Sequence, residues 1–579
     1  MVVLLQPTPP RSPSSSDLAS PELQPKLTTL GIDFTRAFAD LALAEDPLPV
    51  PLRSYADEND SECCGGGCCQ TGSTPISSTP GTPGATVFAS VVFPQGNLAF
   101  DSLGLPLLKI SRSARLLGTV QLPEKTVSIS FSSSDFGKQV SAANDPLAPP
   151  SYIKPHPPYD VHNVPIIDAR PLTGLDAIKR TYHFDLDVSN YPDEISGVDF
   201  RVGGAVGVCP RNDLDLVSEI LDRLDIAQDK RNTPVTLSTT GGRWPTIWGE
   251  DEARVLITTV QDILAWTVDL NNSVLSKKLI RVLAEYATDY SDKMILSWLC
   301  SKQGQSTFCN LRSAAYPPTL LQLLLAFPSS KPPLDYLVCV LPTLMPRFYS
   351  LSSDPVDNFT SPDDNSSSAL RRIEVAVTVH EAQEDWRDPP RVRAGNCTAF
   401  LESLARKRMS GDKTVTLPIF RGLQANPLAK EFRADGPMLL VGAGVGIAPF
   451  RGFVQRRLKN ANCKNKVWVL QGCRDSLVDE LYAGEWGVDD EDVRKVVQSR
   501  RGTKKYVQDE VIQQADLVWS VISHPDGRIF VCGSSKGMGE GVEAALVKVA
   551  IERGKMSEDE AVAFWKEKVR TWQYVTETW

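Results

Sequence analysis

The chain lacks any run of about 18 or more apolar residues, the length a membrane-spanning helix requires, so no membrane span is expected. Its opening, MVVLLQPTPP, turns to Gln and Pro too early for a secretory h-region. There is no excess of positive charge: 61 Lys and Arg against 70 Asp and Glu leave a net −9. That balance sets aside nucleic acid as the main partner and is compatible with a basic protein partner. Histidine is scarce, 5 in 579 residues, and no Cys and His groups stand at zinc-finger spacing, so no metal site is expected. Apart from one cluster at 63–69, the 12 cysteines are thinly spread and read as mostly reduced thiols. A cytoplasmic chain of about three or four domains with an ample core is expected.

Residues 1–85 are rich in Pro, Ser, Thr and Gly, with an acidic patch at Asp57, Glu58, Asp60 and Glu62. So little apolar surface cannot offset the entropy of ordering, and a largely disordered segment is expected. Within it, Cys63, Cys64, Cys68 and Cys69 could bind a soft metal or form disulfides. A flexible tract with incidental reactive thiols is the favoured reading. The following Gln70-Thr71-Gly72-Ser73-Thr74 resembles a flavodoxin phosphate loop, but glycines precede it where a strand is needed and Pro75 follows it where a helix is needed. It reads as a decoy. Over 86–160, the run Val87–Phe93 and the alternation Val127, Ile129, Phe131 predict strands of a small β-rich unit, with a Pro-rich linker at 147–158.

From 164 to 435 the pattern becomes that of an antiparallel barrel. Tyr182, Phe184, Leu186 and Val188 alternate with polar residues, and Phe200–Pro210 reads as a strand broken by glycines, before a helix from Asp213 to Leu224. Residues 226–335 carry helical spacing (Leu256, Val260, Ile263, Leu264; then Leu279, Val282, Leu283) and form a helical insertion. The motif Arg347-Phe348-Tyr349-Ser350, a strand at Val375–Val379 and Gly395-Asn396-Cys397-Thr398 follow. Over 436–579 an α/β unit with a parallel sheet is expected. Met438–Val441 is the short apolar run of a fully buried strand, Gly442, Gly444 and Gly446 come next, and Phe450, Phe453, Val454 and Leu458 recur at helical spacing. Val467–Leu470 and Arg528–Val531 are further buried strands. Ser557 with Glu560 makes a capping box for a last helix marked by Val562, Trp565, Val569 and Trp572.

Several of these stretches carry chemistry. A strand, a glycine turn and a helix make a phosphate site, because glycines let backbone N–H groups approach an anion at the positive end of the helix dipole. Arg347-Phe348-Tyr349-Ser350 offers a guanidinium for a diphosphate, an aromatic face for a flat ring and a hydroxyl for its edge. Gly395–Thr398 opens a helix and offers a second diphosphate contact. Ser499, Arg500, Lys504, Lys505 and Tyr506 supply the charge and stacking face that a 2′-phosphate and adenine would use. Each has a plainer explanation alone: a tight loop, an ion-paired strand, a cap, a solvated basic run.

Taken together, GAGVGIAPFRGF is similar to the NADP-binding loop of ferredoxin-reductase-like flavoenzymes. The order RFYS, GNCT, GAGVGIAPF, Gly472-Cys473-Arg474, SRR with KKYVQ, FVCG and a terminal Trp resembles the NADPH-dependent diflavin reductases over 164–579. Within that family the likeness is strongest to the methionine synthase reductases, in Cys300–Gly304, Leu323–Ser329 and Lys505–Asp509, with the cytochrome reductases next. The resemblance implies an FAD barrel with a connecting helical insertion and an NADPH-binding α/β domain. Arg347, Phe348, Tyr349 and Ser350 would hold FAD, with backbone contacts from Val375, Ala376 and Val377 and diphosphate contacts from Gly395, Asn396, Cys397 and Thr398. Trp579 would cover the flavin ring. Ser350, Cys532 and Glu577 would form the hydride-transfer cluster. Arg170, Gly442, Gly444, Val445 and Gly446 would contact NADP with Cys532, while Ser499, Arg500, Lys504, Lys505, Tyr506 and Gln508 would select it through the 2′-phosphate.

The departures are equally specific. The flavodoxin-like FMN domain of the family has no counterpart in the pattern of 1–160, so FAD without FMN is expected. Val445 replaces a usual Thr and Glu577 a usual Asp. Glu381 stands where an aromatic often meets FAD, and Gly541 where an Asp often meets NADP. The implied function is an NADPH-dependent flavoprotein reductase delivering electrons to a separate protein acceptor: a flavodoxin-like protein, a haem protein or a cobalamin enzyme. The alternative is a non-catalytic nucleotide-binding scaffold derived from such a reductase.

Overall fold

The computed structural model describes residues 94, 96–105, 116–131 and 148–154. From 160 onward it describes all residues except 193–199, 242–252, 272–274, 315, 356–370, 385, 388–389, 391, 422–427, 429–435, 460–465 and 487–492. Residues 1–85, the Cys63–Cys69 cluster, the Gln70–Thr74 turn and the strand expected at Val87–Phe93 lie outside the described residues.

In chain order the first strands are β1 (Val127–Phe131), β2 (His162–Pro171), β3 (Thr181–Asp187), β4 (Ala205–Val208), β5 (Pro234–Thr239), β6 (Val255–Thr259), β7 (Arg347–Ser350) and β8 (Arg372–Thr378). They are followed by β9 (Glu381–Glu384), β10 (Val392–Ala394), β11 (Thr416–Arg421), β12 (Met438–Ala443), β13 (Val467–Cys473), β14 (Arg494–Gln498), β15 (Arg528–Gly533) and β16 (Tyr574–Thr578).

Six strands form an antiparallel sheet in the order β7-β4-β11-β2-β3-β8. An isolated antiparallel bridge from Leu351 to Val375 links its two ends and curls the sheet into a half-barrel. Its interior is filled by Phe184, Leu186, Val206, Val375, Val377 and Leu417.

Between β4 and β7 lies the helical insertion. Its helices are capped as their sequences dictate: Ser276 accepts from the Leu279 N–H before Lys277–Glu285, and Thr319 from the Gln322 N–H before Leu320–Ala326. The sequence pattern did not disclose the antiparallel sheet β1-β5-β6 beside these helices. β1, expected in a small unit over 86–160, pairs along its length with β5, Ile129 opposite Leu237. Leu256, expected on a helix, lies on β6, and the helix runs from Val260 to Trp266.

The third unit is a five-stranded parallel sheet, β14-β13-β12-β15-β16. Leu439 and Val441 of its central strand pack into the cluster on one face, and Met438 and Leu440 into the cluster on the other. Burial on both faces is why that strand reads as an unbroken apolar run; each such side chain contributes about 1.5–3 kcal/mol of transfer energy. The capping box at Ser557 and Glu560 is present, but the helix ends at Arg570. Trp572, expected on it, lies beyond in a turn with φ +59°. No helix among the described residues is long and apolar enough to cross a membrane.

Candidate active site

The glycine turn sits where β12 ends and the helix Ala448–Leu458 begins. Gly444 has φ +56°, a conformation that strongly favours glycine. A Cβ on Gly446 would lie 2.3 Å from the Cys532 carbonyl oxygen, so only glycine lets the turn rest against the end of β15. On the neighbouring strand, Glu577 is the parallel register partner of Cys532.

Strand β7 approaches this point from the barrel. The Ser350 hydroxyl donates to Glu577, at 3.5 Å from Oε1 and 3.4 Å from Oε2, and the Cys532 thiol stands 3.8 Å from Oε2. Burial, and then the Glu577 carboxylate, push the Cys532 thiol well above its ordinary value. It therefore stays an S–H donor and is not a thiolate nucleophile. Thus the three residues of the expected cluster meet, the hydroxyl from one sheet and the other two groups from another.

Beside them opens a cavity of about 600 Å³. Gly444 and Val445 line it with Ser499, Arg500, Lys505 and Tyr506; Gln508 and Trp579 line it as well. Arg500 Nη1 donates to the Tyr506 hydroxyl at 3.3 Å, joining the two expected 2′-phosphate groups. The Trp579 N–H donates to the Gly533 carbonyl at 3.1 Å, and its carbonyl accepts from the Ser535 N–H at 2.7 Å. These backbone contacts anchor the residue at the cavity wall.

Five expected NADP contacts do not line the cavity: Gly442, Gly446, Lys504, Cys532 and Arg170. Lys504 is exposed with φ +52°, while Gly446 and the buried Cys532 pack against each other. Arg170 is held by both carboxylate oxygens of Glu485, at 2.7 and 2.8 Å.

On the barrel side, the Tyr349 hydroxyl donates to Cys397 Sγ at 3.3 Å, which brings RFYS and GNCT together. Asn396 is fixed by the helical insertion: its Nδ2 donates to Asp269 at 2.9 Å and its Oδ1 accepts from Asn271 at 2.7 Å. The Gly395 N–H donates to the His380 carbonyl at 3.1 Å, and the helix Asn396–Met409 begins directly after it, turning the positive end of its dipole toward an anion-binding position. Arg347 is buried and donates to the Met345 and Pro346 carbonyls, each at 3.2 Å. Phe348 turns the other way, its ring edge-to-face with Phe420 at 5.7 Å, as part of the core. Val375, Ala376 and Val377 are buried in β8, and the Glu381 side chain lies outside the described ones.

The chain matches the FAD binding domain family over residues 155–400 and the oxidoreductase NAD-binding domain family over 440–544. An uncharacterized FAD-binding protein of Schizosaccharomyces pombe is 42% identical over 83% of this chain and 88% of its own length. NADPH–cytochrome P450 reductase of Drosophila melanogaster is 30% identical over 52% of this chain and 43% of its own. Methionine synthase reductase of Homo sapiens is 30% identical over 67% of this chain and 57% of its own. The chain belongs to the diflavin reductase family.

As a diflavin reductase relative it carries the FAD-binding and NAD(P)-binding oxidoreductase domains of that family. The donor set fits both groups: a glycine cradle that a Cβ would fill, a cationic cavity wall, and a helix start beside a buried guanidinium. Basic residues not expected at the nucleotide site also line the cavity, Arg474 among them from the Gly472-Cys473-Arg474 motif. Lys179, His380, Arg474 and Lys536 all line it, with Asp479 as the one acid among the described lining residues. That carboxylate already accepts from the backbone N–H groups of Arg474 and Asp475. Single lysines on loops carry no motif, and only the folded chain gathers them.

Proposed function

We propose that this protein is an NADPH-dependent FAD flavoprotein reductase that passes electrons to a separate protein acceptor. The observation that carries this reading is the convergence of the Ser350 hydroxyl and the Cys532 thiol on Glu577. A nucleotide-binding scaffold has no use for that arrangement, while a site that must stabilise developing positive charge on nicotinamide has use for all three groups. FAD, when bound, supplies the chemistry of taking two electrons from the nicotinamide and releasing them to an acceptor.

The chain's own residues bind and orient. Arg347, Tyr349 and the helix start at Gly395–Thr398 would hold the FAD side, with backbone contacts from Val375–Val377, and Ser350 would offer a hydrogen bond at the ring edge. Arg500, Lys505 and Tyr506 hold the 2′-phosphate and adenine, which selects NADPH over NADH. Trp579, on the cavity wall, would shield the flavin face that nicotinamide must reach. The Glu577 carboxylate faces the positive charge, and its hydrogen bonds from Ser350 and Cys532 keep it in place.

The acceptor is a flavodoxin-like protein, a haem protein or a cobalamin enzyme, the last two in keeping with the cytochrome P450 and the methionine synthase that its relatives are named for. A reducing compartment such as the cytoplasm suits the free cysteines among the described residues. The test is the flavin itself. Heat-released cofactor should run as FAD on chromatography, without an equal FMN peak, and the holoprotein should consume NADPH when an artificial electron acceptor is supplied. Release of stoichiometric FMN, or no consumption by flavin-replete protein, overturns the reading.

A further inference from the structure

Away from the cavity, His183, Asp185 and Glu374 place their ligand atoms within 4.8 Å of one another, a spacing that would suit a cation. Two guanidinium groups already occupy that role. Arg451 Nη1 lies 2.6 Å from Glu374 Oε2, and Arg372 reaches Glu374 at 3.0 Å and Asp185 at 3.4 Å. The charges of the two carboxylates are therefore balanced by arginine.

What distinguishes the cluster is which elements it joins. His183 Nε2 faces Asp185 Oδ1 at 2.7 Å. A carboxylate can only accept, so we assign the ring proton to Nε2, and in the neutral ring Nδ1 accepts from the Tyr482 hydroxyl at 2.9 Å. Tyr482 belongs to the parallel-sheet unit and is fully buried. The Arg451 guanidinium lies 4.8 Å over its ring. Besides Glu374, Arg451 donates to the Ser352 carbonyl at 3.1 Å and approaches Glu485 at 3.5 Å. Glu485 in turn holds Arg170 of β2.

Arg451 stands on the helix that begins directly after the glycine turn. Ser352 is two residues beyond Ser350, and Glu374 precedes Val375. One planar, nearly buried group thus ties the turn that floors the nucleotide cavity to the strand that delivers the Ser350 hydroxyl. Its side chain is 11% exposed and that of Glu374 5%, so water screens the pair little.

We infer that Arg451, held flat by Tyr482 and His183, is a positioning residue. It sets the separation of Ser350 from the Cys532–Glu577 pair, and so the approach of nicotinamide to flavin, by acting through Ser352 and Glu374. This inference rests on the proposed activity. Lysine cannot replace the planar fork that spans a carboxylate, a carbonyl and a ring face. A misplacement of about 1 Å at reacting groups costs on the order of 100-fold in rate.

The test uses the full chain with FAD bound, as Arg451→Lys and Tyr482→Phe, mixed anaerobically with NADPH in a stopped-flow instrument. Arg451→Lys is expected to slow flavin reduction about tenfold or more while the KM for NADPH stays within about twofold; Tyr482→Phe, which deletes one hydroxyl and should fold if the other variant does not, is expected to slow it several-fold. Reduction at the unmodified rate in flavin-replete Tyr482→Phe and Arg451→Lys overturns the inference. Amide exchange over 349–353 and 574–578 reads the latch without NADPH. Faster exchange in both segments supports it, and unchanged exchange overturns it. Failure of the unmodified protein to be reduced counts instead against the proposed activity.

Discussion

Cys532 and Glu577 face each other on neighbouring parallel strands, the thiol 3.8 Å from the carboxylate, and Glu577 also receives the Ser350 hydroxyl from the barrel. Because burial and the carboxylate keep the sulfur protonated, its contribution is a hydrogen bond and a shaped contact. Cys532→Ala should therefore slow flavin reduction by NADPH, by about tenfold, with FAD still bound. Stopped-flow reduction at the unmodified rate would reduce Cys532 to a packing residue.

The helix Asn396–Met409 is tied to the barrel through Glu402, near its middle. Arg180 donates to its two oxygens at 2.7 and 3.1 Å, and Tyr182 donates at 2.9 Å. Burial alone would raise this carboxyl, but the hydrogen bonds from Arg180, Arg406 and Tyr182 outweigh it and hold it at about 2 against an ordinary 4.5. A depressed carboxyl stabilises fully above its unfolded value and loses that stabilisation as pH falls. The thermal midpoint of the unmodified protein should exceed that of Glu402→Gln at neutral pH. The gap should close between pH 4.5 and about 2. Parallel curves across that window would show that the Glu402 charge adds nothing to stability.

Gly446→Ala places a methyl group against the Cys532 carbonyl, which is backbone and cannot swing away. A cost of about 1–3 kcal/mol is expected, together with loss of NADP binding as the turn lifts from β15. Calorimetry with NADP and a melting curve check both. Unimpaired binding would mean that the turn does not cradle the nucleotide.

Much of this site was legible before folding because its motifs are local. Met438–Val441 with its glycines reads as a strand and phosphate turn since one short segment holds both the burial and the close approach. RFYS, GNCT and FVCG likewise carry their chemistry within a few residues. What escaped depends on distance along the chain. His183 and Tyr482 meet across 299 positions, and Lys179 and Lys536 meet only at the cavity. β14 and β16 are the edge strands of the parallel sheet, half covered, so they lack the continuous apolar run of β12. β6 was lost for the opposite reason: its apolar residues run directly into the helix from Val260, and one period masked the other.

Arg500 and Trp579 line the same cavity and should act in opposite senses. Arg500→Ala should raise the KM for NADPH about tenfold or more and leave that for NADH nearly unchanged. If Trp579 is the flavin shield proposed above, Trp579→Ala removes the ring with which nicotinamide would compete, and NADH should substitute for NADPH far better than before. Steady-state rates with both nucleotides decide. A NADH-to-NADPH ratio that does not rise in Trp579→Ala would show that the terminal ring is no flavin shield.

The most direct measurement is the absorption spectrum of the purified, FAD-loaded protein after anaerobic mixing with NADPH, with NADH as the comparison. Rapid loss of the oxidised flavin band with NADPH, and a much slower loss with NADH, is the expected result. A flavin band that NADPH leaves unchanged would contradict an active reductase built on Ser350, Cys532 and Glu577.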